Sequence, residues 1–420
     1  MPVSSTDSST ALRSTPKRYR AGTHRLLSPE ETLRRVRPLM AVMGITRIAN
    51  ITGLDRLGIP VVTVCRPNAR SLAVSQGKGL DLTSAKVSGL MEAIETYHAE
   101  HITLPLTLAT YNELRFSHPL VDVTRLPRLS VGAFHPNLRL LWIEGHDLLG
   151  GRPVWLPYEL VHTDFTVPLP SGSGSFFMSS NGLASGNHLL EAISHGICEV
   201  VERDAVTLWH QRTAEERHQT RLDLGSVDDP GCRDVLEKFD RAGVDVAVWE
   251  TTSDVGLPTF YCMTAEREPE PFRPLYPTTG AGCHPARQVA LSRALTEAAQ
   301  VRATLISGSR DDLGVARYYE ALQAPDLWRR VHAVMRSSGA MRRFQQAPSF
   351  EAESFEEDVA WELERLATAG IEQVVVVDLS KPAFGIAVAR VVIPGLEAIH
   401  DAPGYVLGAR ARRIQQERQS

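Results

Sequence analysis

Ser185-Gly-Asn-His-Leu-Leu-Glu-Ala-Ile-Ser-His-Gly-Ile-Cys-Glu-Val-Val-Glu-Arg203 carries two patterns on one segment. Leu189, Leu190, Ile193, Ile197, Val200 and Val201 recur at helical spacing and predict a helix from about Asn187 to His210, with an apolar face turned to a core. Asn187, Glu191, Glu199 and Glu202 form a polar stripe over several turns, with Arg203 beside it.

Two further segments repeat this pattern. From about Ser84 to Glu100, Val87, Leu90, Met91 and Ile94 make a core face, while Ser88, Glu92 and Glu95 stack on another. From about Gln288 to Leu305, Leu291, Leu295, Ala298 and Leu305 point inward; Arg293, Glu297 and Gln300 align elsewhere, and Arg302 sits off that stripe. A solvated helix face alternates signs to gain i,i+4 pairs worth about 0.2 to 0.5 kcal/mol each. Glu92/Glu95 and Glu199/Glu202 instead set like charges at i,i+3 with no lysine between them. Such pairs cost stability unless a cation resides there, and carboxylate pairs on separate helices suit a hard divalent cation such as Mg2+. Stretches of small residues precede each helix: Ser75-Gln-Gly-Lys-Gly79, then Ser171-Gly-Ser-Gly-Ser175 with Ser179-Ser-Asn-Gly-Leu-Ala-Ser-Gly186, then Gly280-Ala-Gly282. Read as loops, they let backbone N–H groups approach an anion at a helix N-terminus. None fits the Walker pattern G-x-x-x-x-G-K-[ST]. Loop, Lys78 and carboxylate helix together make a candidate nucleotide site of another kind.

Strands are expected between these helices. Gly58 to Arg66 is rich in β-branched residues; 138–144 and 152–157 read as a hairpin around Gly150-Gly151; Val244 to Glu250 and Pro258 to Ala265 follow. Val374 to Asp378 and Ile386 to Ile393 are almost continuously apolar, as strands covered on both faces are. Ser28-Pro29-Glu30-Glu31 starts a helix that Pro38 kinks or ends near Arg37. The interleaving gives an α/β fold of mixed α+β kind. Residues 1–25 read as a disordered or lightly ordered arm, 26–72 as an N-terminal subdomain, 73–400 as the main domain and 401–420 as a basic, polar tail with a frayed helix. No repeat of fixed period stands out.

The chain has 420 residues, with 45 Lys and Arg against 49 Asp and Glu, and a net charge of −4; it has no global field to hold a polyanion, so nucleic acid is disfavoured. No window approaches the roughly 18 uninterrupted apolar residues of a membrane span, and the N-terminus lacks a secretory h-region. Cys65, Cys198, Cys232, Cys262 and Cys283 show no C-x-x-C or zinc spacing, which fits a reducing cytoplasm.

The stretches Ser88-Gly-Leu-Met-Glu-Ala-Ile-Glu95, Ser185 to Arg203 and Glu297-Ala-Ala-Gln-Val-Arg302, in that order, resemble the three ATP-binding motifs of the YcaO family. Ser75 to Gly79 and Val391-Val-Ile-Pro-Gly-Leu-Glu397 look like further family signatures, so the resemblance covers about Gly58 to Glu397. It implies a YcaO-type domain, with helices packed on mixed sheets around an ATP and Mg2+ site, that activates a peptide backbone amide with the γ-phosphate. By that resemblance Glu92, Glu95, Glu199 and Glu202 hold Mg2+, and Lys78, Ser88, Asn187, Glu191, Arg203, Glu297, Gln300 and Arg302 contact the nucleotide.

Two departures refine the expectation. Where many members end the first motif in Glu-x-x-Glu-Arg, this chain has Thr96, so one phosphate-neutralising arginine is absent or comes from elsewhere. The run Glu95-Thr-Tyr-His-Ala-Glu100, with Gly22-Thr-His-Arg25 and Ser28-Pro-Glu-Glu-Thr32 upstream, is most similar to the subgroup that works with a TfuA partner protein and is associated with peptide thioamide formation. The chain also lacks the proline-rich end of many azoline-forming members, with no proline after Pro403. The resemblance thus implies a thioamide synthetase acting on a precursor peptide or protein with a TfuA-like partner and a sulfur donor, as a homodimer in the cytoplasm. A cyclodehydratase acting on Cys, Ser or Thr of a precursor peptide is the alternative, and a non-catalytic nucleotide-binding scaffold is the reading from another class. No residue emerges as a general base: His195, on the polar stripe, reads as a hydrogen-bonded structural histidine.

Overall fold

A computed structural model describes residues 14–132, 134–268, 275–310, 325–336, 339 and 341–418. The helices used below are α1 (Pro29–Val36), α2 (Leu82–Glu100), α3 (Leu189–Gln211), α4 (Pro230–Arg241), α5 (Arg287–Ser307), α6 (Phe355–Thr368) and α7 (Ala409–Glu417). The first starts where its sequence caps it: Ser28 Oγ accepts from the Glu31 N–H and Glu31 Oε2 accepts from the Ser28 N–H, with Pro29 at the first helical position. The three polar-striped helices form within two residues of the predicted limits.

Three sheets carry these helices. The first joins β1 (Arg47–Asn50), β2 (Val61–Cys65) and β3 (Val74–Lys78) in that order. The second runs β4 (Leu106–Thr110), β5 (Arg139–Asp147), then β11 (Val375–Asp378), β12 (Ala387–Val392) and β7 (Leu183–Gly186), with β6 (Arg152–Pro157) paired to β5. The third joins β8 (Val244–Glu250), β9 (Thr259–Glu266) and β10 (Thr278–Cys283). Every pairing in the three is antiparallel; a two-residue ladder between 222–223 and 342–343 is parallel. The expected hairpin is β5–β6, and the two apolar C-terminal runs are the adjacent strands β11 and β12, with Val375, Val376 and Val377 buried.

The glycine-rich stretches before the helices correct the loop reading. Ser75 to Lys78 lies in β3, Leu183 to Gly186 is β7, and Gly280 to Gly282 lies in β10. Each strand leads into the helix that packs on it, so the chain contains three strand–helix pairs: β3 with α2, β7 with α3, and β10 with α5. The glycines set how closely they pack. A Cβ on Gly77 would stand 2.0 Å from the Ala85 carbonyl oxygen, and one on Gly282 would stand 2.1 Å from that of Ala290. The Ser171 to Ser175 stretch is also no open anion cradle, because the Gly174 and Phe176 N–H groups donate to the Glu159 carboxylate at 2.7 and 2.9 Å.

The N-terminal expectation changes as well. Residues 14–25 are docked against the body: Lys17, its side chain fully buried, pairs with Asp358 of α6 at 2.8 Å. The first thirteen residues lie outside the described part. The expected division at residue 73 falls between β2 and β3, whose register pairs Val62 with Gly77, and Val62 and Val64 share one core with Ala85, Leu90 and Ile94 of α2. At the other end α7 docks through Arg410, which pairs with the buried Asp204 of α3 at 3.0 Å.

Candidate functional site

The three strand–helix pairs brace one another in a ring. Glu95 of α2 accepts from the backbone N–H and hydroxyl of Ser185 in β7, at 2.9 and 2.7 Å. Glu202 of α3 accepts from the backbone N–H of Cys283 in β10 at 3.0 Å. Glu297 of α5 forms an ion pair with Lys78 of β3. Each acidic helix is thus fixed by the strand of the next pair.

Between them lies a recess whose charges act on one another. Burial pushes the Glu92 carboxyl up to about 7, although the Gln76 backbone and Lys78 oppose it. Burial pushes Glu95 to about 8, against the Ser185 hydroxyl, with the charges of Glu92 and Glu199 adding to the rise. Glu199 and Glu202 are raised by the same desolvation; Arg203 and Arg293 act against it on both. Glu297 is the exception, for burial works to raise it but Lys78, Arg203 and Arg293 together hold it below the ordinary range. The sequence-predicted Glu92, Glu95, Glu199, Glu202, Glu297, Lys78 and Arg203 are therefore brought together. Ser88 stands one turn before Glu92 on α2, and Gln300 Nε2 is 3.4 Å from Gln76 Oε1 of β3.

Three predicted residues are engaged differently. The Asn187 amide donates to Thr32 Oγ1 at 2.9 Å, and Glu191, buried, accepts from the Leu26 N–H at 3.0 Å with Arg25 Nε at 3.7 Å. Residues 25–35 thus close one end of the recess. Arg302 is held outside it, 3% exposed and paired with Asp55 at 2.7 Å and with Glu266.

The reading from sequence left out three arginines. Arg25 acts on Glu191, Arg293 and Glu95. Arg293 is held protonated by Glu202, Glu297 and Glu199 against its burial, and its Nε is buried without a hydrogen-bond partner. Arg390 of β12 donates to the Ser179 carbonyl at 2.6 Å, yet its Nε and Nη1 have no partner. Burial lowers it to about 10, with Glu199 opposing. All three are cations that act on carboxylates of the recess, where Thr96 brings none. Arg66, whose Nη2 donates to Thr96 Oγ1 at 3.1 Å, is committed to Glu100 by two hydrogen bonds of 2.6 Å.

This donor set fits an Mg2+-nucleotide. Buried guanidinium N–H groups without partners are costly unless an anion's oxygens meet them. Desolvated carboxyls at i,i+3 await a cation. Among the described residues no three His, Cys, Asp or Glu side chains form a metal cage by themselves. Mg2+ keeps several waters and takes one or two carboxylates together with phosphate oxygens. A cavity of about 550 Å3 lies elsewhere, between α4 and β8, where Arg267 pairs with Asp240 and Asp245. Its four arginines are already engaged, Arg267 and Arg336 by Asp240 and Asp245 and Arg221 and Arg233 by backbone carbonyls, so it has no comparable claim on a phosphate. Among the described residues no helix is long and apolar enough to cross a membrane.

Comparison with known proteins finds relatives along most of the chain. A Rhizobium leguminosarum bv. trifolii protein described by its place in the tfuA 3′ region is 37% identical over 391 residues, 92% of each chain. The solved structure of YcaO from Methanopyrus kandleri bound with AMPPCP and Mg2+ superposes with a TM-score of 0.72 at 24% identity, covering 91% of this chain and 95% of that one. A heterocyclase in complex with substrate and cofactor gives 0.74 at 23% identity over 93% of this chain, which spans only 55% of the heterocyclase. The sequence profile described as YcaO cyclodehydratase, ATP- and Mg2+-binding, matches residues 76–397, and the chain belongs to the YcaO family.

Proposed function

We propose that this chain uses ATP to phosphorylate a backbone amide oxygen of a ribosomally made peptide or protein and directs sulfur to the amide carbon, forming a thioamide with a TfuA-like partner. The observation that carries the reading is the relative in the tfuA 3′ region, alike over 92% of both chains, taken together with a recess built for phosphates and Mg2+. ATP supplies the phosphoryl group, and Mg2+ neutralises charge on its oxygens. The chain's residues position and compensate. Glu92 with Glu95, and Glu199 with Glu202, offer carboxylate pairs to Mg2+, Lys78 and Arg203 take the phosphates, and Arg25, Arg293 and Arg390 supply the charge that Thr96 lacks. Ser88, Asn187, Glu191 and Gln300 complete the proposed nucleotide set, directly or by orienting the residues that touch it, while Arg302, held by Asp55 and Glu266, stands outside it. This is catalysis by placement and electrostatic stabilisation, as phosphoryl transfer requires.

A cyclodehydratase is the second reading, favoured by the family description and by the likeness to a heterocyclase. There the nucleophile is a Cys, Ser or Thr side chain of the substrate. The deciding experiment reconstitutes the protein with ATP, Mg2+, sulfide, candidate peptide and partner, and weighs the product. Exchange of oxygen for sulfur supports the thioamide reading; loss of water with ring formation overturns it. Nucleotide binding without peptide-dependent release of ADP and phosphate would leave only the scaffold reading. The partner, the precursor peptide, the sulfur donor, a homodimer and a cytoplasmic setting belong to the same proposal.

A further inference from the structure

The segment after the last family signature is pinned along α3. The Glu397 N–H donates to Asp204 Oδ1 at 2.9 Å, and Thr207 Oγ1 donates to the Ala398 carbonyl at 2.6 Å. Two residues further, the His400 ring stacks on His210 with centroids 3.9 Å apart and planes 20° apart. His210 stands seven residues after Arg203 and eleven after Glu199, so it lies on the same helical stripe as the phosphate and metal residues. The pinned segment therefore sets a half-buried imidazole at the rim of the recess, on the Arg203 side.

The surroundings of His400 are suited to accepting a proton. From its own segment Asp401 faces it; from α3, Arg203 and His210 do. Tyr261 of β9 lies against the other ring of the stack, 5.4 Å from His210, and Arg217 acts on His210. Burial lowers His400 below the ordinary histidine range, with Asp401 opposing and Arg203 adding, and lowers His210 to about 3. Both rings are neutral near pH 7, and the stack discourages protonation of both together. On His195, by contrast, the charges that act most strongly are cations: Arg293, Arg25 and Lys78 reinforce its burial. A carboxylate is the strongest charge acting on His400, and it stabilises the imidazolium that proton uptake would create.

We propose that His400, oriented by its stack on His210 and by the bonds from residues 397 and 398 to α3, accepts the proton released when the activated amide is converted to product. This rests on the amide-activation reading above. In that reaction the amide oxygen bonds to the γ-phosphorus as the bond to ADP breaks, and hydrosulfide then bonds to the amide carbon. The carbon–oxygen bond breaks with its electron pair leaving on phosphate while the carbon–sulfur double bond forms. The proton on sulfur passes to His400 and from it to the departing phosphate. In sum, amide, ATP and hydrosulfide become thioamide, ADP and hydrogen phosphate.

The test compares full-length wild type with H400Q and H400A in the reconstituted reaction. Replacing a general base costs about 100-fold or more in kcat, with KM for ATP and binding of a fluorescent Mg2+-nucleotide unchanged. The acid limb of the pH–rate profile disappears in H400Q, and added imidazole restores turnover to H400A. H400N replaces H400Q if the latter does not fold, as nucleotide binding reports. A variant that binds nucleotide and retains wild-type kcat with its acid limb overturns the role of His400. Absence of peptide-dependent ATP turnover in the wild type is a separate outcome, which overturns the amide-activation reading itself.

Discussion

Glu92 and Glu95 stand one turn apart in a desolvated recess, and with no bound cation their folded-state carboxyls sit near 7 and 8 instead of the usual value near 4.5. A carboxyl raised in this way binds more protons folded than unfolded between its two pKa values, so its contribution to stability falls as pH rises through that window. Below about pH 6.5 the buried neutral histidines, such as His210, oppose this slope, so the metal-free protein should lose thermal stability from about pH 6.5 to pH 8. Mg2+-nucleotide favours the ionised carboxylates, so it should raise Tm more at the alkaline end than at the acid end. Scanning calorimetry with and without Mg2+-AMPPCP checks this; a ligand-induced shift that grows toward acid pH contradicts it. Replacing Glu199 or Glu202 by Gln should abolish peptide-dependent phosphate release, since the cation loses a charged ligand, and full activity in both variants would remove them from the metal set. At this scale the carboxylates were legible because like charges at i,i+3 with no intervening lysine have no structural benefit. Arg293 was also legible, one turn before Glu297 on the same stripe. Arg390 left a fainter sign, a lone charge in an apolar strand. Arg25 left none in its spacing, because its neighbours come from distant parts of the chain.

Among the elements, the three strand–helix pairs depend on glycine for contact between backbones. Gly77→Ala should cost about 3 kcal/mol or more by overpacking, since its Cβ would press on Ala85 and Gly89 backbone atoms at 2.0 and 2.2 Å. Gly53→Ala, with no atom within 4 Å of the added carbon, should stay within about 0.5 kcal/mol of wild type. Urea titration of both variants measures the difference, and equal midpoints would show that the β3–α2 contact yields easily. The same glycines explain why the strands were read as loops. Ser, Gly and Lys are poor strand formers by propensity, and β3, β7 and β10 exist because a helix covers each of them closely. The helices and the β-branched strands were legible because their periodicity records burial directly. The small-residue strands record only the closeness of a neighbour, which one sequence read locally does not display.

Over the whole molecule, the first described residues and the late helix α6 are locked together. Lys17 and Asp358 form an ion pair with both side chains buried, and removing one partner leaves an uncompensated charge, so Lys17→Met should destabilise by about 3 to 5 kcal/mol. Equilibrium denaturation reads this, and a loss below about 1 kcal/mol would place the pair among weakly coupled surface bridges. The second sheet spans the chain in the same manner, with β7 at 183–186 joined to β12 at 387–392. Sequence gave the elements of this arrangement but not the closures, since pairing across 341 residues leaves no local pattern. The docked N-terminal segment has a consequence for synthesis. Residues 17–35 are synthesised well before Asp358, so Lys17 has no partner, and the segment that covers the Glu191 end of the recess is not locked to α6, until that residue has been made. A nascent chain therefore carries no finished nucleotide recess until residues 358 and 390 have both been made.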